Sequence, residues 1–278
     1  MIKFSKILVV SFHQDKSEPI LYEVKNILSK KGYDFFLYNE NIGLDRDDFD
    51  LVLVVGGDGS MLSAAKKFSY LNAHFLGINL GRVGFMADLE PTNLEDNLTK
   101  ILNGESEIEL KDSIVCHYAG KTYQAFNEVV LHTEKSYKLM DFEVRVDDSL
   151  IYRKRSDGLI ISTATGSTAY SLSAGGPILS PEIKGFVVTP LNPLSLSARP
   201  LIISSEKKID IQITKIPSKL KSLVILDGNQ EISLDEKNLS FAVEKGQNTF
   251  KLVHPKGYDF YKICRTKLNW SLSKELEN

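Results

Sequence analysis

Five apolar residues in a row, Leu51-Val52-Leu53-Val54-Val55, lead directly into Gly56-Gly57-Asp58-Gly59-Ser60 and then into the helix-forming segment Met61-Leu62-Ser63-Ala64-Ala65-Lys66-Lys67. A run this short and this uniformly apolar reads as a strand buried on both faces, and such strands belong to parallel sheets covered by helices. The order strand, glycine turn, helix places the unpaired N–H groups and partial positive charge of a helix N-terminus at the strand's carboxyl end. Glycines there let an anion approach the backbone without interference from Cβ atoms. Phosphate is the ligand that suits such a turn. The alternative is a tight connection in which Asp58 serves only as a helix cap; three glycines around one acid after a buried strand favour the site.

The surrounding hundred residues repeat the same alternation. Residues 6–12 read as a first buried strand, and Ile20, Leu21, Val24, Ile27 and Leu28 recur at helical spacing, with Gly32 where a helix C-cap belongs. Residues 35–38 and 75–79 continue as strands, and Leu94, Leu98, Ile101 and Leu102 predict a helix after Pro91. This is an α/β domain with a parallel sheet, running to residue 104. A second glycine loop, Leu80-Gly81-Arg82-Val83-Gly84-Phe85, follows the strand at 75–79 and would emerge at the same sheet edge, where ligands collect in open α/β folds. Phe85 suits either a ring of the ligand or a wedge into the core. Neither Gly-x-x-x-x-Gly-Lys-Ser/Thr nor Gly-x-Gly-x-x-Gly occurs, which excludes a Walker-type ATPase and a standard Rossmann dehydrogenase.

From residue 105 to 253 the texture changes to short β-branched and aromatic runs at 113–118, 126–133, 142–146, 159–163, 209–213 and 223–226. Turn signals at Asp147-Asp148, Asp157-Gly158 and Asp227-Gly228 separate them, as in a mostly β, sandwich-like second domain. Residues 254–278 form a last segment, helical over 258–270, that packs back on the first domain. Two domains suit a chain of 278 residues.

Composition narrows the function. The chain is 42% hydrophobic and 25% charged, with no apolar run long enough for a bilayer span and no apolar leader after Met1, which points to the cytoplasm. A net charge of −2 with scattered basic residues gives no footprint for nucleic acid. Only Cys116 and Cys264 occur, without metal-ligand spacing, and both read as buried thiols. No Asp/Glu/His cluster forms a metal cage.

In the second half, Asn127-Glu128 beside the apolar Val129-Val130-Leu131 offers amide and carboxylate groups to paired ribose hydroxyls. Arg155-Ser156-Asp157-Gly158 joins an anion-binding cation to an acceptor, or is a plain surface turn. The small-residue stretch from Ser162 to Pro177 follows a buried run and is interleaved with Tyr170 and Leu172, so it can pack while presenting hydroxyls to a ligand.

In this order, Gly56-Gly57-Asp58-Gly59, Asn127-Glu128, Arg155-Ser156-Asp157-Gly158 and Thr165-Gly166-Ser167-Thr168-Ala169-Tyr170-Ser171 resemble the NAD kinase family. So do Gly77-Ile78-Asn79 with Gly84-Phe85, Leu196-Ser197-Ala198-Arg199-Pro200, His254-Pro255 and Lys267-Leu268-Asn269-Trp270. The resemblance implies transfer of the γ-phosphoryl group of ATP to the 2′-hydroxyl of the NAD adenosine ribose. It implies Asp58 as general base with Gly59 beside it, and Asn127, Glu128, Arg155 and Asp157 as contacts to the dinucleotide. Thr168, Ala169, Tyr170, Ser171, Leu172 and Ser173 correspond to an enclosing loop, and Gln230 to a further contact. The divalent cation, Mg²⁺ or Mn²⁺, is expected to arrive with ATP, and the chain to form a homodimer or homotetramer. A lipid or sphingoid kinase shares the Gly-Gly-Asp-Gly turn and is the rival enzyme; a non-catalytic dinucleotide sensor is the rival of another class.

Overall fold

The structure, a computed structural model, describes residues 2–12, 14–39, 44, 46–81, 84–135, 138–216 and 220–270. It divides into two compact units, residues 1–110 with 250–278, and residues 111–249.

The first unit opens β1 (Lys6–Val10), α1 (Gln14–Lys31), β2 (Asp34–Leu37), β3 (Leu51–Val55), α2 (Asp58–Phe68), β4 (His74–Ile78) and α3 (Leu94–Leu102), then enters the long strand β5 (Ser106–Tyr118). Strands β2, β1, β3 and β4 lie side by side in that order, all parallel. β3 is buried along its whole length, as its uninterrupted apolar run requires. Val9, Leu53 and Leu76 from the sheet pack with Val24, Ile27 and Leu28 of α1 and with Leu94, Leu98, Ile101 and Leu102 of α3. Gly32, at φ +75°, ends α1 in the left-handed turn that favours glycine. β1 stops at Val10, two residues short of the predicted end.

The second unit contains β6 (Lys121–Ala125), β7 (Glu128–Thr133), β8 (Met140–Val146), β9 (Ser149–Ser156), β10 (Gly158–Ser162), the single turn α4 (Tyr170–Ser173), β11 (Gly185–Leu191), β12 (Leu201–Ser204), β13 (Ile209–Lys215), β14 (Ser222–Leu226), β15 (Gln230–Ser233) and the first part of β16 (Ser240–Pro255). One antiparallel sheet has the order β12-β11-β10-β7-β14-β15. Opposite it lie antiparallel β16-β13-β8-β9 and the β5-β6 hairpin. Leu131, Ile161, Val188 and Val224 of the first sheet meet Cys116, Phe142, Ile211 and Val243 of the second in one core, which makes the unit a sandwich. Burial there pushes the Cys116 thiol up to about 12, so it stays protonated and inert.

The last residues of β16 belong to the first unit, where Lys251 and Leu252 pair in parallel with His74 and Phe75 of β4. Helix α5 (Phe260–Leu268) follows in the same unit, shorter than predicted. The Asp259 carboxylate caps its start by accepting from the N–H groups of Tyr261 and Lys262, and Asn269, at φ +48°, ends it. Among the described residues no helix is long and apolar enough to cross a membrane.

Candidate active site

Asp58 is the first residue of α2, but it does not cap that helix. Gly57 holds the N-cap position, with no side-chain cap bond. The Asp58 carboxylate reaches instead to the loop after β4: Oδ2 accepts from the N–H of Phe85 at 3.0 Å, and Oδ1 from those of Met86 at 3.0 Å and Ala87 at 3.2 Å. The close approach requires glycine at position 84, where an added Cβ would stand 1.9 Å from Asp58 Oδ1. The loop is itself anchored by buried Asn79, whose Oδ1 accepts from the Gly81 N–H at 2.8 Å while its backbone N–H donates to Leu89 at 3.0 Å. Gly59 is exposed at the mouth of the turn. Phe85 packs on α5, its ring centroid 6.0 Å from that of Phe260.

Three further groups stand in the same unit without having been read as site residues from sequence. Lys267 of α5 places Nζ 3.4 Å from Asp58 Oδ2 and 4.5 Å from the centroid of the Phe85 ring. His254, 1% exposed, lies between two carboxylates, Nδ1 2.9 Å from Asp88 Oδ2 and Nε2 3.0 Å from Glu109 Oε2, and stacks on Tyr258 with centroids 3.6 Å apart. Burial disfavours a charged imidazole, but hydrogen bonds to Asp88 and Glu109 outweigh it and raise the pKa. Burial beside these acids also raises the Tyr258 phenol. Sequence offered only His254-Pro255 and Lys267 within resembling segments; the acidic partners stand 145 and more residues away.

In the second unit, the polar pair and the small-residue stretch come together. The Asp227 carboxylate accepts from the N–H groups of Phe126 at 3.0 Å, Asn127 at 2.7 Å and Glu128 at 3.1 Å. Thr163 Oγ1 donates to the Phe126 carbonyl at 2.6 Å and accepts from the Gly166 N–H at 3.1 Å. Gly166 lies so close to this backbone that a Cβ would meet the Asn127 carbonyl oxygen at 2.1 Å. Glu128 faces Ser162 across the β7–β10 pair, and both are buried, as is Asn127. The Asn127 Oδ1 atom has no hydrogen-bond partner among the described residues. Thr168 ends a 3-10 turn, Ala169 follows it, and α4 carries Tyr170, Ser171, Leu172 and Ser173, with Ser171 Oγ 3.2 Å from Thr189 Oγ1. Gln230 is exposed at the start of β15, three residues past Asp227.

Arg155 and Asp157 stand elsewhere. Arg155 is an exposed residue of β9, not of a turn, with Nε 4.0 Å from Asp141. Asp157 is buried before Gly158, its Oδ2 accepting from Asn192 at 2.9 Å and its Oδ1 lacking a partner among the described residues. Asp157 directly precedes β10, at the end opposite Ser162 and about 17 Å from it at the usual strand rise, and Arg155 lies two residues earlier in β9.

Residues 7–106 match the ATP-NAD kinase N-terminal domain, and residues 126–255 the ATP-NAD kinase C-terminal domain. An NAD kinase of Teredinibacter turnerae is 40% identical over 231 residues, covering 80% of this chain and 77% of that protein. One from Alcanivorax borkumensis is 41% identical over 227 residues, covering 80% and 75%. The crystal structure of an NAD kinase from Archaeoglobus fulgidus in complex with ATP superimposes with a TM-score of 0.76 at 26% identity, covering 95% of this chain and 97% of that one. With both of its halves matched by the two domains of one family, and with close relatives covering most of its length, the chain belongs to the NAD kinase family and is an ATP-dependent NAD kinase.

Proposed function

We propose that Asp58 is the general base of the reaction, taking the proton of the 2′-hydroxyl of the NAD adenosine ribose as that oxygen receives the γ-phosphoryl group of ATP. The observation that carries this is the carboxylate's fixed grip by three backbone N–H groups, where a helix cap would have needed none of them. A carboxylate has about four lone-pair sites. Backbone N–H groups fill three, two on Oδ1 and one on Oδ2, and the Lys267 ammonium faces the fourth at 3.4 Å, so a hydroxyl donates to Oδ2 from one defined direction by displacing that ammonium. An acceptor held this rigidly orients the nucleophile before the reaction begins.

In the second unit, Asn127 and Glu128 hold dinucleotide hydroxyls. A buried acceptor without a donor costs about 1–3 kcal/mol, and a ligand hydroxyl at Asn127 Oδ1 removes that cost. The loop from Thr168 to Ser173 encloses part of the adenosine or nicotinamide, and Gln230 supplies an outer contact. Among the described residues no group of three or more His, Cys, Asp or Glu is placed to hold a metal. Mg²⁺ or Mn²⁺ arrives with the nucleotide substrate, where it neutralises phosphate charge.

The separation of Arg155 and Asp157 from Asn127 supports a homodimer or homotetramer, in which these two residues serve the dinucleotide of another copy. The segment beside them is apolar and exposed at Leu194 and Leu196, the latter 92% exposed, and the Leu194 N–H is tied to the Arg155 carbonyl at 2.9 Å. Free thiols at Cys116 and Cys264 suit the reducing cytoplasm.

Asp58→Asn tests the base. Turnover at saturating NAD and Mg-ATP should fall on the order of 10² to 10⁴ while nucleotide still binds. The amide keeps one acceptor oxygen and sets an NH₂ against a backbone N–H, so thermal unfolding is recorded beside it. Near-normal turnover in the folded variant removes Asp58 from the role.

A further inference from the structure

Lys267 approaches the one lone-pair direction of Asp58 that backbone donors leave open. Its Nζ is 3.4 Å from Oδ2, and both side chains are 29% exposed, so the pair stands at the lip of the glycine turn. The ammonium is not free to wander. It lies 4.5 Å from the Phe85 ring centroid, Phe85 packs against Phe260 of the same helix, and the helix is fixed by its Asp259 cap and buried Cys264. The carboxylate does not need this cation, since three N–H groups already satisfy it.

The reaction does need one. A carboxylate that accepts the hydroxyl proton stands one oxygen away from the phosphorus under attack, and its negative charge repels the phosphoryl oxygens. In the transfer, the ribose 2′-oxygen bonds to the γ-phosphorus, the bond from that phosphorus to the β,γ-bridging oxygen breaks with its electron pair leaving on ADP, and the hydroxyl proton passes to Asp58. Charge spreads over the equatorial phosphoryl oxygens as this happens, and a preorganised cation beside them lowers the barrier. Lys267, an ammonium on a flexible four-carbon stem 3.4 Å from Asp58 Oδ2, stands beside the carboxylate at which those oxygens gather.

We propose that Lys267 is a further catalytic residue, its ammonium swinging from Asp58 Oδ2 onto the γ-phosphoryl oxygens as the 2′-hydroxyl takes its place on the carboxylate. The proposal rests on the reading of Asp58 as the residue beside the nucleophile, and the experiment separates the two. Lys267→Met keeps the stem against Phe85 and removes the charge; Lys267→Arg keeps a charge. Both are assayed with Asp58→Asn, well below each variant's unfolding midpoint. Turnover of Lys267→Met should fall on the order of 10²-fold, with the KM for NAD within about twofold of the parent, and inhibition by tripolyphosphate should weaken. Lys267→Arg should recover most of the loss. Parental turnover in Lys267→Met, or equal losses in the methionine and arginine variants, overturns the proposal. A slow Asp58→Asn beside a normal Lys267→Met defeats Lys267 alone; a normal Asp58→Asn beside a slow Lys267→Met defeats the base and leaves the cation.

Discussion

Two carboxylates and a phenol converge on His254. With Asp88 facing Nδ1 and Glu109 facing Nε2, both ring nitrogens donate only if the imidazole is charged, and Tyr258 covers its face. The pKa of His254 is raised from the ordinary 6.5 by those hydrogen bonds, against its burial. A group whose folded pKa lies above its unfolded one stabilises fully below the unfolded value and loses that contribution as pH climbs through the folded value. Urea unfolding should therefore show stability declining from neutral pH upward, and His254→Gln should flatten that decline while lowering stability near pH 7 by about 3–5 kcal/mol. Equal pH slopes in both proteins would separate the histidine from the effect. Asp88 directly follows the three residues around Asp58, so the same cluster steadies the loop that grips the carboxylate.

At the scale of elements, the β14–β15 hairpin shows how a turn positions a site. Asp227 and Gly228 both have positive φ, at +47° and +68°, the pattern of a tight hairpin turn, and that backbone brings the Asp227 carboxylate onto three N–H groups at the start of β7. Asp227-Gly228 was legible as a turn; its partners, about a hundred residues earlier, were not. Asp227→Ala leaves buried donors unpaired, and should cost about 1.5–3 kcal/mol in stability. The KM for NAD should rise while that for Mg-ATP moves little; the reverse pattern would detach this turn from the dinucleotide. Strand β11, next to the edge of its sheet, escaped the sequence reading because Thr189 and Pro190 interrupt its apolar run, yet Pro190 pairs with β10, opposite Leu159. β16 escaped because its middle, Glu244 to Thr249, is polar and contains Gly246.

For the whole molecule, the proposed self-association rests on the separation of Asp157 from Asn127 along β10. Light scattering should find a dimer or tetramer, and Leu196→Glu should shift it to a smaller species. If Arg155 and Asp157 serve a neighbour's dinucleotide, Arg155→Ala and Leu196→Glu should both raise the KM for NAD, the former by an amount matching about 1.5–3 kcal/mol. A parent chain that is monomeric and fully active would end this reading.

The fold class, the glycine turn and the family were decided within the sequence, because each rests on local order: an unbroken apolar strand, glycines where backbone must approach an anion, and small residues after a buried run. Tertiary structure decided what those residues touch. Asp58 caps nothing and is gripped by residues 85–87; Asn127 is set by Asp227; Arg155 and Asp157 fall at the far end of β10; and Lys267 and His254 gain partners from distant parts of the chain. Spacing along a chain determines a strand or a turn, but a carboxylate's partners depend on which loops packing brings to within about 3 Å, and no local pattern records that.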